Sequence, residues 1–88
     1  VSRGKPDPLV FLLTARRMGI DPARCAVIED AVHGVAAARR AGMRVIALTG
    51  TAGREALGQA DLIVDSLSEL NATRIADLID GPTQRSPI

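Results

Sequence analysis

Aromatic residues are almost absent from this sequence. Phe11 is the single phenylalanine among 88 residues, and there is no Trp or Tyr. Any core must be aliphatic, and the stacking platforms that single-stranded nucleic acids need are excluded. Charge of one sign is lacking too: 11 basic and 10 acidic residues leave a net charge of +1, which argues against nucleic-acid binding by phosphate neutralisation. One cysteine, Cys25, excludes an internal disulfide and a Cys-cluster zinc site. Set in an apolar run, it reads as a buried small residue of a reducing, cytoplasmic compartment. The longest apolar run, Leu9 to Leu13, is far too short for a membrane span, and no signal peptide is visible. Nucleic acid and membrane are thus not expected partners. The chain opens VSRGKPDP without an initiator Met, so the true amino terminus is expected to lie upstream.

Apolar residues make up 47% of the chain, a globular composition. The length suits one small domain. A globule of this size buries roughly 60–65% of its unfolded-chain surface, which predicts marginal stability. The folded unit is expected over residues 1–80, with residues 81–88 as a frayed tail.

Helical and strand patterns alternate, which predicts an α/β layout with a parallel sheet. GKPDP reads as a loop. Asp7 is a suitable N-cap with Pro8 at the first helical position, and the helix is expected to run to Met18 and stop at Gly19. Leu9, Leu12, Leu13, Ala15 and Met18 would supply its apolar side. Cys25 to Glu29 reads as a strand apolar on both faces, as a central parallel strand would be. Ala31 to Ala41 forms a second helix, on which Gly34, Ala37, Ala38 and Ala41 follow i, i+3, i+4, i+7 spacing. This small-residue stripe allows close approach to the sheet. Arg44 to Leu48 and Leu62 to Val64 complete the strands. A short helix is expected over Arg54 to Gln59. Ser66 with Glu69 forms a capping box for a last helix.

In parallel α/β sheets functional groups gather beyond the carboxyl ends of the strands. Glu29 and Asp30 stand at such an end, and two adjacent carboxylates call for something positive. Hard oxygen ligands of this kind suit Mg²⁺, which takes one or two carboxylates and keeps several waters. The competing reading is two solvated loop carboxylates, or Asp30 capping the next helix. Lys5 is the candidate cation. Its ammonium is a compact point charge suited to a phosphate or an anionic transition state, although surface lysines are common.

The stretch RGKPDPLVF followed by CAVIEDAVHGVAAARRAGMRVIALTG resembles the carboxyl-terminal half of a haloacid dehalogenase (HAD) superfamily hydrolase, nearest the β-phosphoglucomutase and phosphatase-like subfamily. The resemblance covers about Gly4 to Leu70. It rests on two ordered motifs, Gly-Lys-Pro-x-Pro and Glu-Asp-(x)3-Gly-(x)2-Ala-(x)3-Ala-Gly. It implies a partial three-layer α/β/α Rossmann-like parallel sheet of about three strands with flanking helices. It also implies Mg²⁺-dependent phosphoryl transfer on a small phosphorylated metabolite, a sugar phosphate being one class. Lys5 would be the catalytic and substrate-contacting lysine, holding the nucleophilic aspartate and steadying charge on the transferring group. Glu29 and Asp30 would hold Mg²⁺, and Gly34 would be a structural glycine.

The sequence also departs from that family. The Asp-x-Asp nucleophile motif and the following Ser/Thr are not found. Asp61 and Asp65 flank the third strand, but with the wrong spacing. No stretch of these residues reads as a cap domain. The chain is therefore expected to be the second half of a core, missing its amino-terminal half, and by itself weakly stable, prone to associate and inactive. A phosphosugar mutase is the alternative enzyme. A non-catalytic HAD-like half that binds a partner through its strand edge is the alternative module. A dinucleotide-binding half is disfavoured, because no Gly-x-Gly-x-x-Gly follows a strand. His33 reads as a spectator, the TGTAG loop as a turn that could also cradle phosphate, and the NAT at Asn71 as a chance sequon.

Overall fold

The structure, a computed structural model, describes residues 7–81. Helix α1 (Leu9–Met18), strand β1 (Ala26–Glu29), helix α2 (Val32–Arg40), strands β2 (Arg44–Leu48) and β3 (Leu62–Val64) and helix α3 (Ala72–Asp80) follow in order. Short 3₁₀ turns at Pro22–Arg24 and Leu67–Glu69 join them. The three strands are parallel in the order β1-β2-β3. Residue 27 pairs with 45 and residue 46 with 62. The open parallel α/β sheet with flanking helices is the architecture expected from the alternation.

Strand alternation divides the side chains between two layers. Val27, Val45, Ala47 and Ile63 turn to one face, where Val35 and Ala38 of α2 pack against them with Leu57. Ala15 of α1, Cys25, Ala41 and Met43 form an adjoining cluster. Phe11 and Val27 pack against both clusters. Ile46 is fully buried on the other face. There Arg44 donates through Nε to the Leu78 carbonyl (2.9 Å) and through an Nη to the Gly81 carbonyl (3.1 Å), which satisfies the carbonyl end of α3. Arg24 and Asp80 form an ion pair beside it.

β1 is the edge strand of this sheet among the described residues, and Ile28 is 47% exposed. Several local expectations are corrected. On α1, Ala15 is buried, but Leu9, Leu12, Leu13 and Met18 are exposed. The expected apolar side therefore exists without a cover among the described residues. Asp7 does accept the Leu9 N–H (2.9 Å), although the helical bonds begin at the Pro8 carbonyl. Residues 54–59 form consecutive turns rather than a helix. Their bonds run from residue i to i−3 (Ala56 to Gly53, Leu57 to Arg54, Ala60 to Leu57), and Gly58 disfavours helix propagation. The Ser66–Glu69 capping box is present but closes the 3₁₀ turn; Asn71 caps α3 through the Arg74 N–H (2.8 Å). The expected tail, apart from Gly81, lies outside the described residues.

Asp61 fixes the start of β3. Its Oδ2 accepts the Val45 N–H at 2.8 Å, and its own N–H donates to the Val45 carbonyl at 2.9 Å. It stands at the amino end of the strand, remote from the rim where chemistry is sought, and is buried. Asp61→Ala should leave the Val45 amide without its acceptor and cost about 2 kcal/mol. The check is the urea midpoint followed by circular dichroism.

Candidate functional site

The carboxyl ends of all three strands share one rim. Glu29 ends β1 and Asp30 follows it; Thr49, Gly50 and Thr51 follow β2; Asp65 follows β3. An open hollow of about 300 Å³ lies on this rim, lined by Ile28, Glu29, Asp30 and Leu48.

The two neighbouring carboxylates are handled separately. Glu29 folds back over the start of α2, where its Oε1 accepts the N–H groups of Asp30 (3.1 Å) and Ala31 (3.2 Å). These bonds tie the carboxylate to the turn that leads into α2. The fold-back is possible because residue 34 is glycine: a Cβ there would overlap Cγ, Cδ and Oε2 of Glu29. Asp30 is exposed, and its Oδ2 accepts the Thr51 hydroxyl at 2.9 Å.

A second constellation lies at the end of β3. Asp65 Oδ1 accepts the Thr49 hydroxyl (2.8 Å), and its Oδ2 accepts an Nη of Arg54 (2.9 Å). The Arg54 hydrogen bond, then the Thr49 hydroxyl, hold its carboxyl below the usual aspartate range. Gly50, at φ +130°, gives the loop a backbone conformation that favours glycine. The TGTAG stretch is thus a turn whose threonines reach opposite neighbours. The sequence pattern marks the TGTAG loop but not the pairings of Thr49, Thr51 and Arg54; its one signal is a hydroxyl residue on each side of a glycine at a strand end.

Among the described residues no group of three or more His, Cys, Asp or Glu gathers as a metal cluster. The donor set at the hollow is two carboxylates of hard oxygen, one of them tied to backbone amides. That fits a cation that keeps most of its waters, such as Mg²⁺, and not a tetrahedral transition-metal centre. His33 is exposed at the start of α2. Lys5 lies outside the described residues.

Gly34→Ala should turn the Glu29 carboxylate out. The helix-propensity gain of about 1 kcal/mol is of the same size as the bonds lost, so global stability is a poor readout. Faster hydrogen exchange confined to the Asp30 and Ala31 amides is the expected result. Asp65, with its proton affinity lowered in the folded state, contributes stability above the ordinary aspartate range that is lost as pH falls through its depressed folded value. Arg54→Ala should raise the Asp65 midpoint towards the ordinary value, read from its carboxyl carbon shift across an acid titration.

Residues 2–70 match the family model for HAD-hydrolase-like proteins. The chain is 40% identical over 74 residues to hexitol phosphatase A of Escherichia coli K12, a match spanning 84% of this chain and 34% of that protein. It is 43% identical over 70 residues to the β-phosphoglucomutase of Bacillus subtilis 168, spanning 80% of this chain and 30% of that one. The crystal structure of a family IA, variant 3 HAD hydrolase from Entamoeba histolytica superposes with a TM-score of 0.80 at 26% identity, covering 92% of this chain and 38% of that one. The chain thus spans about a third of the length of the relatives it matches. The chain belongs to the HAD-hydrolase-like family.

Proposed function

We propose that this chain forms the lysine-and-metal half of a phosphoryl-transfer core that hydrolyses a small phosphorylated metabolite. The observation that carries the reading is the placement of Glu29 and Asp30 at the end of β1, bordering the hollow on the sheet's functional rim. Asp30 would hold Mg²⁺, with Glu29 beside it. When bound, Mg²⁺ supplies neutralisation of the phosphoryl oxygens. Glu29 is tied to the Asp30 and Ala31 amides, so the two carboxylates do not compete for one orientation. Lys5, on the segment before α1, would place its ammonium against the transferring group and the attacking carboxylate. The nucleophile would come from an amino-terminal half of the core. A sugar phosphate is the substrate class favoured by the likeness to hexitol phosphatase A and β-phosphoglucomutase. Hydrolysis is favoured over mutase chemistry because a mutase must also exclude water and return the phosphoryl group. A cytoplasmic setting agrees with Cys25 as a buried free thiol.

A second reading, a binding module without catalysis, draws on one observation: the open β1 edge, with Ile28 exposed beside it and Leu12 and Leu13 exposed on α1. The two readings separate by activity. In the protein that carries the amino-terminal half, Asp30→Asn and Lys5→Ala should each lower kcat/KM for phosphate monoesters about 10²-fold or more, with Mg²⁺ required by the wild type. The 88-residue chain alone should show no turnover above its Asp30→Asn control. Monoester turnover that is unchanged in both variants, or independent of Mg²⁺, would remove the site assignment, and absence of turnover in the wild type would favour the binding module.

A further inference from the structure

We infer that Thr51 is a positioning residue for the Asp30 carboxylate, and that its hydroxyl raises the affinity of the rim for a divalent cation. This inference rests on the proposed role of Asp30 as a Mg²⁺ ligand.

The support is geometric. Thr51 and Asp30 are 21 residues apart and both exposed, yet the Thr51 hydroxyl donates to Asp30 Oδ2 at 2.9 Å. An exposed side-chain pair gains little by itself, so the backbone must hold the two groups in register. The loop does so. The Thr49 N–H donates to the Val64 carbonyl at 3.0 Å, and the Thr49 hydroxyl donates to Asp65 at 2.8 Å, which anchors the loop to β3. Gly50, at φ +130°, then turns the chain, and Thr51 arrives over the end of β1. Arg54, a few residues on, ties the same loop to Asp65 a second time.

The chemistry follows from what a carboxylate ligand needs. Asp30 is exposed, and a freely rotating carboxylate loses rotamer entropy when it engages a cation. A donor fixed on one oxygen removes that freedom beforehand and leaves lone pairs for the ion. Hydroxyl or amide partners of this kind around a metal-binding group typically change metal affinity 10–100-fold. Glu29 is positioned differently, by backbone amides and the space at Gly34. Thr51 is therefore the side-chain hydroxyl on which the orientation of Asp30 turns.

The test uses Mn²⁺ as the probe and the ¹⁵N-labelled 88-residue chain, reading paramagnetic broadening of the Asp30 and Ala31 amide signals during titration. Wild type, Thr51→Val, Thr51→Ser and Asp30→Asn are compared, with β2 amide shifts confirming the fold. Thr51→Ala removes the same donor if valine disturbs the loop. The expected result is an affinity about 10-fold weaker in Thr51→Val, restored in Thr51→Ser, with site-specific broadening lost in Asp30→Asn. If Asp30→Asn loses binding but Thr51→Val matches wild type, the positioning role is overturned and the Asp30 assignment stands. Equal weakening in Thr51→Val and Thr51→Ser also overturns it, because loop shape rather than the donor would then be responsible. Absence of broadening in wild type, or broadening unchanged by Asp30→Asn, overturns the metal reading and this inference with it.

Discussion

Close packing of α2 on the sheet is the constraint from which the rest of the structure follows. Ala37, Ala38 and Ala41 are buried on one side of the helix, and with no branching at Cβ they let its backbone lie near β1 and β2. Burying methyl groups contributes less hydrophobic free energy than burying leucines, so the stripe trades driving force for proximity. That proximity sets the amino end of α2 directly after β1. The N–H groups of Asp30 and Ala31, in the turn that leads into α2, then meet the carboxylate of Glu29.

The rim solves an electrostatic problem by dividing it. Two adjacent acids would repel if both faced the same space. Glu29 is drawn onto backbone amides over a glycine, whereas Asp30 is met by a hydroxyl from the next loop. A third acid, Asp65, is balanced by Arg54. Each negative charge thus has its own donor, and the segment after β2 supplies the side-chain donors, which makes that loop as important to the rim as the strands. The directions of these carboxylates are thus set by the fold.

Much of the fold was legible in the sequence because it depends on local periodicity and chemistry. The small-residue stripe of α2, the boundaries of β2 and β3, the glycine stops at Gly19 and Gly42 and the Ser66–Glu69 capping box are all short-range patterns. The misses have physical causes. The alanine and leucine of Arg54–Gln59 suggest a helix, yet burial of Leu57 is achieved by turns. At the candidate site, the adjacent acids and Gly34 were visible as a motif. The reason for Gly34 was not, since it lies in a side chain five residues away folding over it. Thr51 with Asp30, and Arg54 with Asp65, are pairings made by topology, and no local pattern announces them.

Phe11 packs against both buried clusters, the one beneath α2 and the one around Cys25 and Met43. A single ring is therefore shared property: neither group of aliphatic side chains can loosen without disturbing contacts of the other. In a domain this short, such sharing is a source of cooperativity, joining α1 and the sheet into one melting unit. The lone aromatic, so easily passed over in a count, acts with Val27 to keep the two clusters from coming apart separately.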